Sequence, residues 1–166
     1  MSSHRPYPLS TENISHLKAR DLLEQKPQRL FSVTPESTVY RALEIMAEGE
    51  VGALPVIEAG KLVGIVSERD YARRIVLLGR KSPDTSVGDI MTKQVVSVAL
   101  ETSLKECMRL MNERQIRHLP VLSDSEVVGV ITVGDVLRSV LFMQNQTIDE
   151  LNRYVSGEPR VHPTVL

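Results

Sequence analysis

Two hydroxyl–carboxylate pairs are the residues of this 166-residue chain whose types and spacing could do chemistry. Ser67 precedes Asp70 by three residues, and Thr132 precedes Asp135 by the same spacing. At a helix start this spacing is typical of a capping box, in which the hydroxyl and the carboxylate satisfy free backbone amides. An ionised carboxylate can also accept hydrogen bonds from hydroxyl groups of a ligand. The pairs therefore allow a structural or a binding function.

Both pairs occupy matching positions of an internal repeat. Residues 33–71 align without a gap on residues 98–136 at an offset of 65, and ten of the 39 aligned positions are identical. Each copy predicts a short β segment, an amphipathic helix, a hairpin and a second helix, which gives β-α-β-β-α twice. Gly64 and Gly129 lie inside a hairpin strand, where glycine marks close approach of a ligand or tight packing between the halves.

The repeat places each pair where a hairpin ends and a second helix begins. The predicted elements are β segments at 30–33 and 95–98, second helices from Glu68 to about Leu78 and from Val133 to about Met143, short leading helices at 17–23 and 87–91, and a final helix at 148–155. The predicted units are an N-terminal extension (1–16), a first motif (17–80), a second motif (81–145) and a C-terminal helix and tail (146–166).

Composition excludes several classes of function. The chain is 42% hydrophobic, which is enough for a sizeable core, and its formal net charge of −1 lacks the basic excess of a dedicated nucleic-acid binder. No apolar run approaches the roughly 18 residues that span a bilayer. Because the start also lacks a signal-peptide pattern, we expect a cytoplasmic protein. The single cysteine, Cys107, lies on the apolar stripe of its helix and is predicted to be buried and inert.

The doubled motif resembles a known family. Leu54-Pro55-Val56 and Leu119-Pro120-Val121, the strand glycines and the two hydroxyl–carboxylate pairs are together similar to a tandem pair of CBS motifs, often called a Bateman module. More narrowly, the chain resembles small stand-alone CBS-pair proteins. The resemblance implies an α+β fold with two motifs packed through their sheets as a pseudo-two-fold pair. It also implies two clefts for adenosine-containing ligands, such as AMP, ADP, ATP, S-adenosylmethionine or NAD(H), and a homodimer.

The resemblance assigns a ribose-binding function to the two pairs. In the family, the hydroxyl and carboxylate at the positions of Ser67, Asp70, Thr132 and Asp135 contact the ribose. A carboxylate suits this role because it accepts from both vicinal hydroxyls, as in dinucleotide folds. We favour ligand contact over capping alone because the pair recurs in both halves, although one side chain can do both.

The resemblance also implies phosphate contacts from basic side chains. Arg117 and His118 match basic positions of related CBS pairs, and Arg69 lies inside the first motif. Arginine suits phosphate because its planar group donates two parallel hydrogen bonds, whereas a solvated strand edge is the alternative. The first half has Gly52 and Ala53 at the matching places, so the clefts are unequal. We expect the second cleft to bind the more highly charged nucleotide more tightly.

The remaining predicted ligand contacts come from the resemblance alone. The family pattern places backbone contacts to adenine at Val51, Ala53, Ile116 and His118, with Thr34 nearby. Nothing else in the sequence supports the adenine assignment of these five positions.

The sequence predicts binding without catalysis. The four histidines are scattered and none has metal-ligand spacing, and no nucleophile or oxyanion arrangement accompanies them. We therefore expect a non-enzymatic regulatory sensor that binds an adenosine nucleotide and signals its occupancy to an unidentified protein partner. The alternative is a constitutive scaffold with vestigial clefts, and nucleic-acid binding is a third, less supported hypothesis.

Overall fold

The computed structural model describes residues 16–27 and 29–142, which form two similar α+β halves. The first half contains α1 (Ala19–Glu24), α2 (Val39–Gly49), β1 (Ala53–Glu58), β2 (Lys61–Ser67) and α3 (Glu68–Tyr71). The second contains α4 (Val87–Ile90), β3 (Val98–Ala99), α5 (Leu104–Arg114), β4 (His118–Ser123), β5 (Glu126–Thr132) and α6 (133–142). The predicted α+β class is confirmed, and the predicted final helix at 148–155 lies outside the described residues.

The two hairpins repeat each other down to their irregularities. β1 pairs with β2 and β4 with β5, both antiparallel, and both registers shift after the equivalent residues Val56 and Val121. Each turn has two residues with positive φ, namely Ala59 with Gly60 and Asp124 with Ser125. Left-handed residues at both central positions match the twist of a two-residue hairpin. The hairpins predicted from the apolar runs are therefore present.

The first β segments are shorter than the sequence predicts. In the second half only Val98–Ala99 pairs, parallel to β4. In the first half a single residue, Val33, forms a parallel bridge to Val56. The chain leaves the sheet at once because Pro35 has no amide hydrogen and Ser37 N donates to Thr34 O in a turn.

The second helix differs between the halves. After α3, residues Ala72–Val76 continue as a π-helix and the chain turns at Gly79, which has a φ of +62°. The sequence predicts one regular helix to about Leu78. The matching helix of the second half, α6, is a regular α-helix over its described residues.

The leading segments are exchanged between the halves. Leu17, Ala19 and Leu22 around α1 belong to the hydrophobic core of the second half. Val87 and Ile90 of α4 belong to the core of the first half. Each hairpin core is thus completed by the segment that precedes the other repeat, so the two halves form one interdependent unit.

The two sheets contact each other through the second strands of their hairpins, β2 and β5. This contact agrees with the predicted pseudo-two-fold pair of motifs packed through their sheets. In the described ranges, no helix has the length and apolar character needed to cross a membrane.

Candidate functional site

Both hydroxyl–carboxylate pairs are capping boxes at the start of a helix. At α3, Ser67 N donates to Asp70 Oδ2 over 2.9 Å, and Asp70 N donates to Ser67 Oγ over 3.3 Å. At α6, Thr132 N donates to Asp135 Oδ2 over 2.8 Å, and Asp135 N donates to Thr132 Oγ1 over 3.2 Å. Capping is therefore an established function of both pairs. A pair can bind ribose as well only if its carboxylate has an acceptor that the cap does not use.

The local fold brings the predicted phosphate residues next to these caps. His118 on β4 pairs with Thr132 on β5, and Val133 N at the start of α6 donates to Arg117 O over 3.1 Å. In the first half, Glu68 N donates to Gly52 O over 3.1 Å in the same way. In both halves, the residue that precedes the first hairpin strand thus accepts a hydrogen bond from the first amide of the following helix.

Both oxygens of the Asp135 carboxylate accept hydrogen bonds within the protein. Its Oδ2 accepts from Thr132 N, from Thr132 Oγ1 at 2.9 Å and from Lys26 Nζ at 2.8 Å. Its Oδ1 accepts from Arg138, and the side chain is only 4% exposed. Because each oxygen offers two lone pairs, Oδ2 is saturated and Oδ1 is half occupied.

The acceptors of Asp70 are half free. Its Oδ2 accepts from Ser67 N at 2.9 Å and from Ser67 Oγ at 2.7 Å. Arg74 Nε lies 4.0 Å from Oδ1, which is beyond hydrogen-bond distance, and the Asp70 side chain is 16% exposed. The pair of the first half therefore has a carboxylate oxygen that accepts no hydrogen bond from the described residues, whereas both oxygens of Asp135 accept at least one.

Lys26 is a residue of the site that sequence reasoning missed. It follows α1, and its ammonium donates to Asp135 Oδ2 and, over 2.9 Å, to Val130 O on β5. It lies before the aligned repeat, so the internal comparison carries no signal for it. Only the exchange of the leading segments brings this residue beside the second half.

His118 reaches across the junction into the first half. A methyl group placed on Gly52 would lie 3.5 Å from His118 Nε2 and 3.4 Å from Glu68 Oε2. Burial lowers the pKa of His118, and the nearby charges of Lys26 and Arg117 lower it further. The imidazole is therefore neutral at pH 7, and it brings no positive charge to the cleft.

The charge of Asp135 is held by its partners. Burial by itself raises the pKa of this carboxyl, but the hydrogen bonds and charge of Lys26 and the amide and hydroxyl of Thr132 outweigh burial. The net pKa lies below the usual value. Asp135 is therefore ionised at neutral pH as part of an ion pair.

A cavity of about 360 Å³ joins residues from both halves. It is lined by Arg69 from the first half, by Ile116 and Arg117 from the second, by Val133 and Val136 of α6, and by the C-terminal part of α5. Three predicted ligand residues thus border one space. The four residues of the hydroxyl–carboxylate pairs do not line this cavity.

The other predicted adenine-contact residues belong to the first half. Thr34 is exposed and its hydroxyl lies 3.2 Å from Ser37 Oγ. Val51 packs against the first core, and Ala53 is 5% exposed at the start of β1. None of these three residues lines the Arg69–Arg117 cavity.

The strand glycines are explained by packing. A methyl group on Gly64 would collide with Met91, whose Cγ lies 3.0 Å from that position. On Gly129 it would lie 2.7 Å from Leu23 Cδ2. Both contacts come from the exchanged leading segments, so the glycines allow those segments to cross the strands.

Neither a reactive thiol nor a metal cluster is found among the residues that the structure describes. Cys107 is fully buried, as predicted, and burial together with the charge of Glu106 raises its pKa to about 11. Within residues 16–27 and 29–142, no three histidine, cysteine, aspartate or glutamate side chains are placed to share a metal ion.

Comparison with known proteins identifies the fold. A solved protein with CBS domains from Burkholderia ambifaria MC40-6 superposes with a TM-score of 0.74 at 42% identity, covering 77% of this chain and 96% of that one. A CBS domain pair in complex with 5′-methylthioadenosine and S-adenosyl-L-methionine superposes with a TM-score of 0.65, covering 75% of this chain and 95% of that one. At 22% identity, that second likeness shows the shared fold alone.

A curated relative supports the same assignment. The mitochondrial CBS domain-containing protein CBSX3 of Arabidopsis thaliana is 41% identical over 129 residues, which are 75% of this chain and 63% of that protein. The CBS domain family itself matches residues 19–77 and 87–141. These ranges contain both hairpins and both capping boxes. The chain therefore belongs to the CBS-domain family, as a tandem pair of CBS domains.

Proposed function

We propose that this protein binds an adenosine-containing nucleotide between its two CBS domains and passes that occupancy to a protein partner. CBS pairs are regulatory modules, so the family sets the general role. The ligand class, AMP, ADP or ATP with NAD(H) as a further candidate, rests on the residues of the junction. The proposed setting is a cytoplasmic homodimer that holds its ligand without consuming it.

The observation that carries the proposal is the available carboxylate of Asp70. Its free oxygen lies at the start of α3, in the position where the family pattern has a ribose-binding acid. A carboxylate with a free acceptor, beside a helix start and next to an arginine, suits a ribose followed by a phosphate. Arg69 is that arginine, and it borders the same cavity as Arg117.

The test is direct binding to the purified protein. Thermal shift with adenosine, AMP, ADP, ATP, NAD(H) and S-adenosylmethionine should find a stabilising ligand, by about 2.7 kcal/mol when its concentration is 100 times Kd. Chromatography of the incubated ligand should recover it unchanged. If no nucleotide stabilises the protein or gives heat in calorimetry, nucleotide sensing is wrong, and a constitutive scaffold is the better description.

Arg117 allows the phosphate contact to be tested separately. Arg117→Ala should weaken AMP at least tenfold, because a charge-assisted contact worth about 1.5–3 kcal/mol is lost, while adenosine is unaffected. Arg73→Ala, which removes an exposed arginine of the π-helix, is the matched control and should leave both affinities unchanged. Equal losses for AMP and adenosine in Arg117→Ala would remove the phosphate role.

A further inference from the structure

We infer that Lys26 is a built-in competitor for the carboxylate of the second cleft, so that nucleotide occupies the Asp70 cleft first and enters the Asp135 cleft only in competition with this lysine. The inference rests on the proposed function, since it concerns the regulation of the same site. It reverses the order of affinities that the sequence predicts from Arg117 and His118.

The first step is the count of donors on each carboxylate. Asp135 Oδ2 accepts from Lys26 Nζ, Thr132 N and Thr132 Oγ1, which is one donor more than its two lone pairs, and Oδ1 accepts from Arg138. Arg138 can move easily, because its side chain is 70% exposed, and Oδ1 is then as free as Oδ1 of Asp70. The difference that remains is Lys26, whose ammonium still competes with ribose hydroxyls for the Asp135 carboxylate, whereas no ammonium of residues 16–27 and 29–142 bonds to Asp70.

The second step is that Lys26 is fixed in place by more than one contact. Its ammonium also donates to Val130 O over 2.9 Å. The equivalent atom of the first half, Ile65 O, accepts instead from Thr92 N over 2.9 Å. Lys26 Nζ therefore donates to the strand carbonyl of the second sheet that a backbone amide serves in the first sheet. This second contact holds the ammonium against the edge strand β5, so the Lys26–Asp135 pair is less mobile than an ion pair on the surface.

The third step is the asymmetry of burial and charge. The Lys26 side chain is 31% exposed and its partner Asp135 only 4%, so their interaction is screened less than that of an exposed pair. In the first half, Thr92 carries no charge and Asp70 keeps a free oxygen. The two clefts therefore share a fold and a capping box but differ in the cost of ligand entry.

A sensor built in this way responds over two ranges of nucleotide concentration. The first cleft fills at low concentration, and the second fills only when ligand competes with a tethered cation. Because Lys26 directly follows α1, whose Ala19 and Leu22 lie in the second core, its displacement would also act on that helix. Occupancy of the second cleft is thus linked to the leading segment.

The experiment compares Lys26→Met, which keeps most of the length of the side chain and removes its charge, with wild type by calorimetry using AMP and ATP. We expect one tight site in wild type and a second site at least tenfold tighter in Lys26→Met. Lys26→Gln also removes the charge but keeps a donor for Val130 O, and it should bind nucleotide as Lys26→Met does. It serves as the test if the methionine variant fails to fold. Lys61→Met removes an exposed lysine at the first hairpin and should resemble wild type.

Assignment of the sites uses the two acids. In the Lys26→Met background, Asp135→Asn should remove the gained site and Asp70→Asn the original one. Two equal sites in wild type, or a second site unchanged by both Lys26 variants, would overturn the inference and leave nucleotide binding intact. Absence of binding in wild type and in all variants would overturn the proposed function, and this inference with it.

Discussion

Replacing Asp135 by asparagine should destabilise the ligand-free protein much more than replacing Asp70. Both acids close a capping box, so each substitution weakens the start of a helix. Asp135 additionally accepts from Lys26 and Arg138, whereas Arg74, the ion-pair partner of Asp70, lies 4.0 Å away. From the sequence alone, both substitutions are expected to leave the ligand-free melting temperature nearly unchanged.

The magnitudes follow from the hydrogen bonds that each substitution removes. Asparagine keeps one acceptor oxygen, so for Asp70→Asn we expect a loss within about 1 kcal/mol, the typical value of a lost cap. For Asp135→Asn the Lys26 ammonium also loses its carboxylate, and a hydrogen bond to a charged group adds about 1.5–3 kcal/mol. At about 2–4 °C per kcal/mol for a chain of this size, the two melting temperatures should differ by roughly 3–12 °C.

The assay is thermal or urea unfolding of wild type and both variants without nucleotide, near pH 7. The double variant Lys26→Met/Asp135→Asn supplies the coupling energy, which should be about 1–3 kcal/mol for residues in direct contact. Equal melting temperatures for Asp135→Asn and Asp70→Asn, or a coupling energy near zero, would refute the assignment of the Lys26–Asp135 contact as a structural ion pair.

The pH dependence of stability is an independent test of the Asp135 contacts. The pKa of Asp135 is lowered in the folded protein relative to a usual value of about 3.9. Its contribution to stability is therefore fully present above that value and is lost as pH falls through the folded pKa. The gap between wild type and Asp135→Asn should be constant from pH 7 to 5 and narrow below about pH 4.

Three further predictions concern packing and titration. Gly64→Ala should cost about 1–3 kcal/mol because the methyl group collides with Met91, whereas Gly134→Ala, whose nearest contact would be 3.5 Å, should unfold at the same or a slightly higher urea concentration. Cys107 should resist iodoacetamide at pH 8 until the protein is unfolded, because burial raises its pKa to about 11; rapid labelling of the native protein would contradict this. The pKa of His118 is lowered in the folded protein, so the unfolded chain takes up this proton first and stability falls as pH drops below about 6.5. In His118→Gln, the free energy of unfolding should depend less on pH between pH 7 and 5. An unchanged dependence would assign the titration to another group.

The sequence by itself determined the repeated architecture. The alignment of residues 33–71 on 98–136 predicts two copies of one unit, and the structure repeats even the register shifts after Val56 and Val121. The hydroxyl–carboxylate spacing likewise predicts the capping boxes. These features are encoded within a few adjacent residues, since caps and two-residue turns depend on local backbone geometry.

Only the tertiary structure decided how the halves depend on each other. The exchange of the leading segments places α1 in the second core and α4 in the first. That exchange explains Gly64 and Gly129, each crossed by a side chain from a leading segment. A glycine in a strand indicates close approach, but its partner lies far away in the chain and is invisible to local patterns.

The inequality of the two clefts was also decided by the tertiary structure. The sequence attributes it to Arg117 and His118 and treats both as positive, whereas burial and neighbouring cations keep His118 neutral at pH 7. Lys26, which donates to Asp135, lies 109 positions away from it and outside the repeat. Local sequence fixes which groups a residue offers, while the availability of a carboxylate depends on every donor that the folded chain brings to it.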